Sequence, residues 1–250
     1  MERWVRKVAV VTGASSGIGA AIALDLVKAN MIVIGLARRD QRVNELKSQI
    51  PENCAGELHS FKCDLQREEN VKAAFKWIED TFGGVDVLIN NAGILVEANL
   101  LDLDNTEKIK SAIDTNVLGV VYCTREAFHS MKKRDVAGHI VTINSISGHK
   151  VPYLVNICPS INIYPATKFA VTAMTEVYRQ ELQREKSKVK ITSISPGSVK
   201  TEIFPVTEEM LKVFPILQPE DVSGAVLYVL GTPPHVQVHE LIIKPIGEAF

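Results

Sequence analysis

Short apolar runs rich in β-branched residues recur along the whole of this chain, each followed by a segment with helical spacing. They lie at 7–11, 31–36, 58–62, 85–89, 139–144, 189–195 and 240–243. A strand that is apolar at nearly every position has no face to offer water, so it belongs in a sheet covered on both sides. The helices between are expected at 17–29, 40–50, 67–82, 107–133, 165–185 and 220–230. Ile18, Ile22 and Leu26 give the first its buried stripe. Asp40 is placed as the cap of the second, Pro51 stops it, and Gly83-Gly84 close the third. Right-handed crossovers then yield a doubly wound, mostly parallel α/β sheet with ligands at the carboxyl ends of its strands. No repeat or linker divides the 250 residues, so one domain is expected over 1–250. Two connections, 149–163 and 199–219, are long enough to be substrate loops.

Composition removes several classes of function. A formal net charge of -1 gives no electrostatic case for nucleic acid or a membrane surface. Lys132-Lys133-Arg134 reads as a solvated helix end. Cys54, Cys63, Cys123 and Cys158 form no C-x-x-C pair, and the six histidines form no H-E-x-x-H, so no metal site is expected. Cys63 and Cys123 sit in apolar segments and read as buried thiols. The apolar run within 1–11 is too short for a secretory signal, and no run approaches the roughly 18 residues of a membrane helix. A soluble cytoplasmic protein is the expectation.

The first strand ends in TGASSGIG, Thr12 to Gly19. Gly13 suits the tight turn, Gly17 lets main chain approach a pyrophosphate, and Gly19 lets the helix close on the sheet. Strand, glycine loop and helix in this order open a Rossmann fold. An enzyme preferring NAD has an acid after the second strand, whereas arginine there suits the 2′-phosphate of NADP. This chain reads Gly35-Leu36-Ala37-Arg38-Arg39, which predicts NADP with Arg38 as main phosphate ligand and Arg39 as helper.

Tyr164-Pro165-Ala166-Thr167-Lys168 places a phenol and an amine four residues apart, on one face of a helix. Pro165 belongs in a first helical turn, so Tyr164 stands at or just before the start. Tyr122, Tyr153, Tyr178 and Tyr228 carry Glu126, Ile157, Leu182 and Thr232 at the same offset, so the lysine partner is particular to Tyr164. A free phenol, with a pKa of about 10, is a poor base near neutrality. An ammonium about 4 Å away supplies about 4 kcal/mol at an effective dielectric of about 20, enough to lower that pKa by about three units.

With NNAG at Asn90–Gly93 and PGSVKT at Pro196–Thr201, these motifs occur in the order of the short-chain dehydrogenases/reductases, which the chain resembles over nearly its whole length. The MERW opening, Ser147–His149 and TPPHVQV resemble a subgroup holding insect NADP-dependent farnesol dehydrogenases and vertebrate keto-steroid reductases. The resemblance implies a homodimer or homotetramer. It implies that Gly13, Ser15, Ser16, Gly17, Ile18 and Gly19 hold the cofactor phosphates, Asp64 and Leu65 contact adenine, and Asn91, Ala92 and Gly93 lie along the cofactor. Pro196 and Gly197 would border the nicotinamide, with Val199 and Thr201 on its carboxamide, and Tyr164 and Lys168 would contact the cofactor as well. Asn116 would hold a water of the proton relay, and Ser145 would bind the substrate oxygen. The stretch from Ser145 to Tyr164 is longer than usual in the family, which leaves Ser147 as an alternative.

Val151, Pro152, Tyr153, Leu154, Val155 and Ile157 enrich one long connection, and Ile203, Phe204, Pro205, Val206, Leu211, Val213 and Phe214 the other. With Ile94, Leu95 and Val96 they suggest an apolar pocket, hence a lipophilic alcohol or carbonyl. Farnesol is the first candidate, keto-steroids and dicarbonyls the second. A noncatalytic NADP-binding module is the alternative of another class.

Overall fold

Alternate residues of the first strand feed two different cores. Ala9 and Val11 pack into one with Ile22, Leu26, Val222 and Val226, while Val8 and Val10 pack into the other with Val71, Phe75, Ile78 and Ala127. This is why no position of that strand is polar until Thr12, at its carboxyl end. A computed structural model describes residues 1–152, 161–203 and 215–248. Its seven strands are β1 (Val8–Thr12), β2 (Ile32–Ala37), β3 (Glu57–Lys62), β4 (Val87–Asn90), β5 (His139–Ile143), β6 (Lys190–Pro196) and β7 (Glu240–Ile243). They stand in the order β3-β2-β1-β4-β5-β6-β7, every neighbouring pair parallel.

The described helices are α1 (Gly17–Lys28), α2 (Asp40–Glu45), α3 (Glu68–Phe82), α4 (Thr106–Ile113), α5 (Gly119–Lys133), α6 (Tyr164–Arg184) and α7 (Pro219–Gly231). α1 and α7 cover one face of the sheet; α3, α5 and α6 cover the other. Strand order departs in opposite directions from β1 and β4, so their connections part and leave a crevice at the carboxyl ends. The expected single-domain, doubly wound Rossmann fold is the one observed. No helix among the described residues is long and apolar enough to cross a membrane.

Two expectations change. The single helix over 107–133 is interrupted by a π turn at Asp114–Leu118, which separates α4 from α5. The helix over 40–50 is α-helical only to Glu45 and tightens into a 3-10 turn, Leu46–Gln49; Asp40 is its first residue rather than its cap, the cap position falling to Arg39. The basic end of α5 is solvated as expected, its lysines exposed while they also meet acids. Lys132 meets Glu185, Lys133 meets Glu79, and Arg134 reaches Asp86 at 3.1 Å. Asp86 also accepts the Val8 N–H at 2.9 Å, tying the foot of β1 to that of β4.

Cys63 and Cys123 are buried as expected, and burial pushes the Cys63 thiol up to about 12. Tyr153, Leu154, Val155, Ile157 and Cys158 lie outside the described residues, as do Phe204, Pro205, Val206, Leu211, Val213 and Phe214. Most of the two expected substrate loops therefore lies outside them too.

Candidate active site

The crevice between β1 and β4 opens into a cleft of about 490 Å³, large enough for a bound small molecule. Its floor is set by Thr12. The Thr12 hydroxyl accepts the N–H groups of Asn91 and Ala92, both at 3.0 Å, and Asn91 Nδ2 returns a bond to the Thr12 carbonyl at 2.9 Å. The ends of the two strands are thereby locked together. Gly13 turns the chain with φ of 67°, and a Cβ there would stand 2.9 Å from Ala92 Cα. At Gly19 a side chain would overlap both Asn91 Nδ2 and the Gly13 carbonyl. Ser16 precedes α1 without a side-chain cap bond, so the first N–H groups of that helix remain open toward the cleft.

Eighteen of the residues expected to touch a cofactor line this one cleft. They are Gly13, Ser15, Ser16, Gly17, Ile18, Arg38, Arg39, Asp64, Leu65, Asn91, Ala92, Gly93, Tyr164, Lys168, Pro196, Gly197, Val199 and Thr201. Gly19 stands just behind the wall, consistent with a packing role. The glycine cradle, the open helix N-terminus and the arginines after β2 fit a dinucleotide whose pyrophosphate meets α1.

At the other end of the cleft, Ser145 follows β5, and its hydroxyl accepts the Ser147 N–H at 3.1 Å while also hydrogen-bonding Tyr164. That choice separates Ser145 from Ser147: both line the cleft, but the bond to the phenol belongs to Ser145. Tyr164 opens α6 with Pro165 second, as proline's missing N–H requires. Lys168 is buried one turn on, and its Nζ donates to the Ile143 carbonyl at 3.0 Å.

The Lys168 Nζ lies 5.6 Å from the centre of the Tyr164 ring. Burial dominates both groups. It pushes the Tyr164 phenol up to about 12, with the Ser145 bond working the other way, and pulls the Lys168 ammonium down to about 8. The expected lowering of Tyr164 by Lys168 is thus not what this geometry yields.

Asn116 lies in the π turn, and its amide makes three hydrogen bonds. Oδ1 accepts the Ile94 N–H at 2.8 Å, and Nδ2 donates to the Ile94 carbonyl at 2.9 Å and to Thr167 Oγ1 at 3.1 Å. It fastens the segment after β4 to the start of α6. Asn116 does not itself line the cleft.

Apolar side chains line the cleft at Ile94, Leu95, Ile146, Pro152, Ile161 and Ile203, though not at Val96, and Ile161 accepts the Tyr164 N–H through its carbonyl. The cations among the described lining residues are Arg38, Arg39 and Lys168, so no arginine faces the Tyr164 end. Several site residues escaped the sequence reading. Thr12 was visible only as the first letter of a motif. Asn144 lines the cleft with a buried Oδ1 that has no hydrogen-bond partner. Glu202 and Arg42 are distant in sequence from each other, so no spacing rule joins them.

Sheet, glycine loop and phenol–lysine pair at one switch point define the class of nucleotide-dependent oxidoreductases built on a doubly wound sheet. A family model described as short chain dehydrogenase matches residues 7–212, and the chain belongs to that family. It is 58% identical to a farnesol dehydrogenase of Aedes aegypti over 251 residues, covering all of both chains. It is 43% identical to dehydrogenase/reductase SDR family member 11 of Gallus gallus, over 98% of each. Among solved structures it resembles an alcohol dehydrogenase of the archaeon Thermococcus sibiricus complexed with 5-hydroxy-NADP, at 27% identity and a TM-score of 0.83, over 98% of each chain. The protein is therefore an oxidoreductase of the short-chain family, which uses NAD(P) cofactors.

Proposed function

We propose that the chain is an NADP-dependent alcohol dehydrogenase/carbonyl reductase whose substrate is a lipophilic alcohol, farnesol, and its aldehyde. The observation that carries this reading is the convergence of Ser145 and Tyr164 on one point of an apolar cleft mouth, with Lys168 buried behind them. Identity to the Aedes aegypti farnesol dehydrogenase supports the substrate.

A nicotinamide held by the residues lining the cleft would supply or accept the hydride. The chain's own residues handle the oxygen. Ser145 Oγ donates a hydrogen bond to the substrate oxygen, and Tyr164 Oη gives or takes its proton. The Lys168 ammonium, fixed on the Ile143 carbonyl, favours negative charge on the phenol while the proton is away. Asn116, bonded to Ile94 and Thr167, keeps the 93–95 segment beside α6. Ile94, Leu95 and Ile161 exclude water from the reacting centre.

The direction of the reaction sets its pH dependence. Reduction needs Tyr164 protonated, which burial favours up to about 12, and Lys168 charged, which holds below about 8. The reduction rate is expected to be level in mild acid and to fall as pH rises through about 8, and alcohol oxidation, whose phenolate needs the same ammonium, loses that support over the same interval. Initial rates in both directions across that range test this, and a reduction rate that climbs there contradicts it.

The functional test is the rate of nicotinamide reduction with farnesol, NADP and NAD run side by side. Turnover strongly favouring NADP supports the whole reading. Turnover absent with farnesol but present with keto-steroids or dicarbonyls and NADPH would keep the chemistry and replace the substrate.

A further inference from the structure

Two guanidinium groups at the start of α2 hold a single carboxylate from the far side of the cleft. Arg39 Nη2 lies 2.8 Å from Glu202 Oε2 and 3.4 Å from Ser16 Oγ. Arg42 Nη1 lies 2.8 Å from the other oxygen, Glu202 Oε1. Two oxygens of one anion, each met by a separate arginine, with a serine hydroxyl of the glycine loop alongside, is the way a protein grips a phosphate. Arg39, Ser16 and Glu202 all line the cleft, next to Arg38. Arg38 makes no hydrogen bond or ion pair among the described residues.

We propose that Glu202 is a built-in occupant of the adenosine-phosphate subsite and that Arg42 is a further guanidinium of that subsite, so that a 2′-phosphate and Glu202 exclude each other. The inference rests on the NADP reading above and assigns it two residues the sequence motifs do not contain. A carboxylate and a phosphate dianion within contact distance of the same two guanidinium groups repel, and one of them must leave. Fold stability does not require the Glu202 contacts, because side chains of Arg39, Arg42 and Glu202 are 49%, 44% and 55% exposed and pairs so open contribute little. Both arginines hold the Glu202 carboxyl below its ordinary pKa, so it is charged throughout the neutral range.

The chain around Glu202 makes the exchange consequential. Thr201 Cγ2 stands 3.1 Å from where a side chain on Gly17 would begin, so this segment lies across the glycine loop. Glu202 thus fastens the segment after β6 to α2 over the adenosine end of the cleft. A phosphate that takes over Arg39 and Arg42 releases that fastening. A cofactor without the 2′-phosphate leaves it in place. Glu202 therefore sets the affinity for the phosphorylated cofactor without affecting the other.

The test is equilibrium binding to the full chain, read by NADPH and NADH fluorescence and by calorimetry with 2′-AMP and 5′-AMP. Glu202→Gln is expected to tighten NADPH and 2′-AMP by roughly two- to fivefold, the upper range of one exposed charge contact, and to leave NADH and 5′-AMP unchanged. Arg42→Met is expected to weaken NADPH by a comparable factor, and the gain from Glu202→Gln is expected to shrink in the double variant. Glu202→Gln leaving NADPH affinity unchanged, or tightening NADH equally, overturns the proposal, while the NADP reading stands if the wild type still prefers NADPH. A wild type that binds NADH as tightly as NADPH and ignores 2′-AMP overturns both.

Discussion

Tyr164→Phe is expected to lower turnover about a thousandfold while NADPH binds as before, since a positioned acid–base group contributes about 10²–10⁴ in rate. The substitution removes one hydroxyl and keeps the ring that packs at the start of α6. The lost partner is Ser145, which retains the Ser147 N–H, so neither side is left as a buried orphan. The stability change is therefore expected to stay within about 1 kcal/mol. Initial rates with farnesol, NADPH fluorescence titration and thermal unfolding on one preparation separate the three quantities. Only a few-fold loss of rate would remove Tyr164 from the chemistry. A wild type that binds NADPH and turns over no alcohol or carbonyl would leave the noncatalytic binding module standing.

Arg38→Ala is expected to weaken NADPH by about ten- to a hundredfold with NADH little changed, because a hydrogen bond to a charged group contributes about 1.5–3 kcal/mol. Arg38 is the suitable target because Arg39 already has Glu202 and Ser16, whereas Arg38 is exposed on the cleft wall with no partner to lose among the described residues. Its removal should leave folding untouched. Paired titrations of NADPH and NADH against wild type and variant measure the ratio directly. Equal weakening of both cofactors would mean that Arg38 supports the adenosine generally and does not read the phosphate.

The sequence alone determined the order and hand of this fold, the cleft and most of its lining. Continuously apolar strands can only be buried on both faces, and TGASSGIG between β1 and α1 fixes where the crevice falls. Pro165 fixed Tyr164 at the head of α6, and the four-residue offset fixed Lys168 one turn behind it. These are local rules: one residue type, one spacing, one element. Tertiary structure decided what depends on groups brought together from distant parts of the chain. The π turn at Asp114–Leu118 carries no proline, and it surrounds Asn116, whose amide is drawn to Ile94 and Thr167. The phenol's pKa followed burial more than its lysine neighbour, because desolvation depends on everything packed around a group, whereas i,i+4 spacing describes one neighbour only. Glu202 met Arg39 and Arg42 across some 160 residues of chain, a pairing no periodicity encodes. Spacing along a chain sets which elements form and which way they face; the strength of a charge is set by its surroundings in space, and those exist only once the chain has folded.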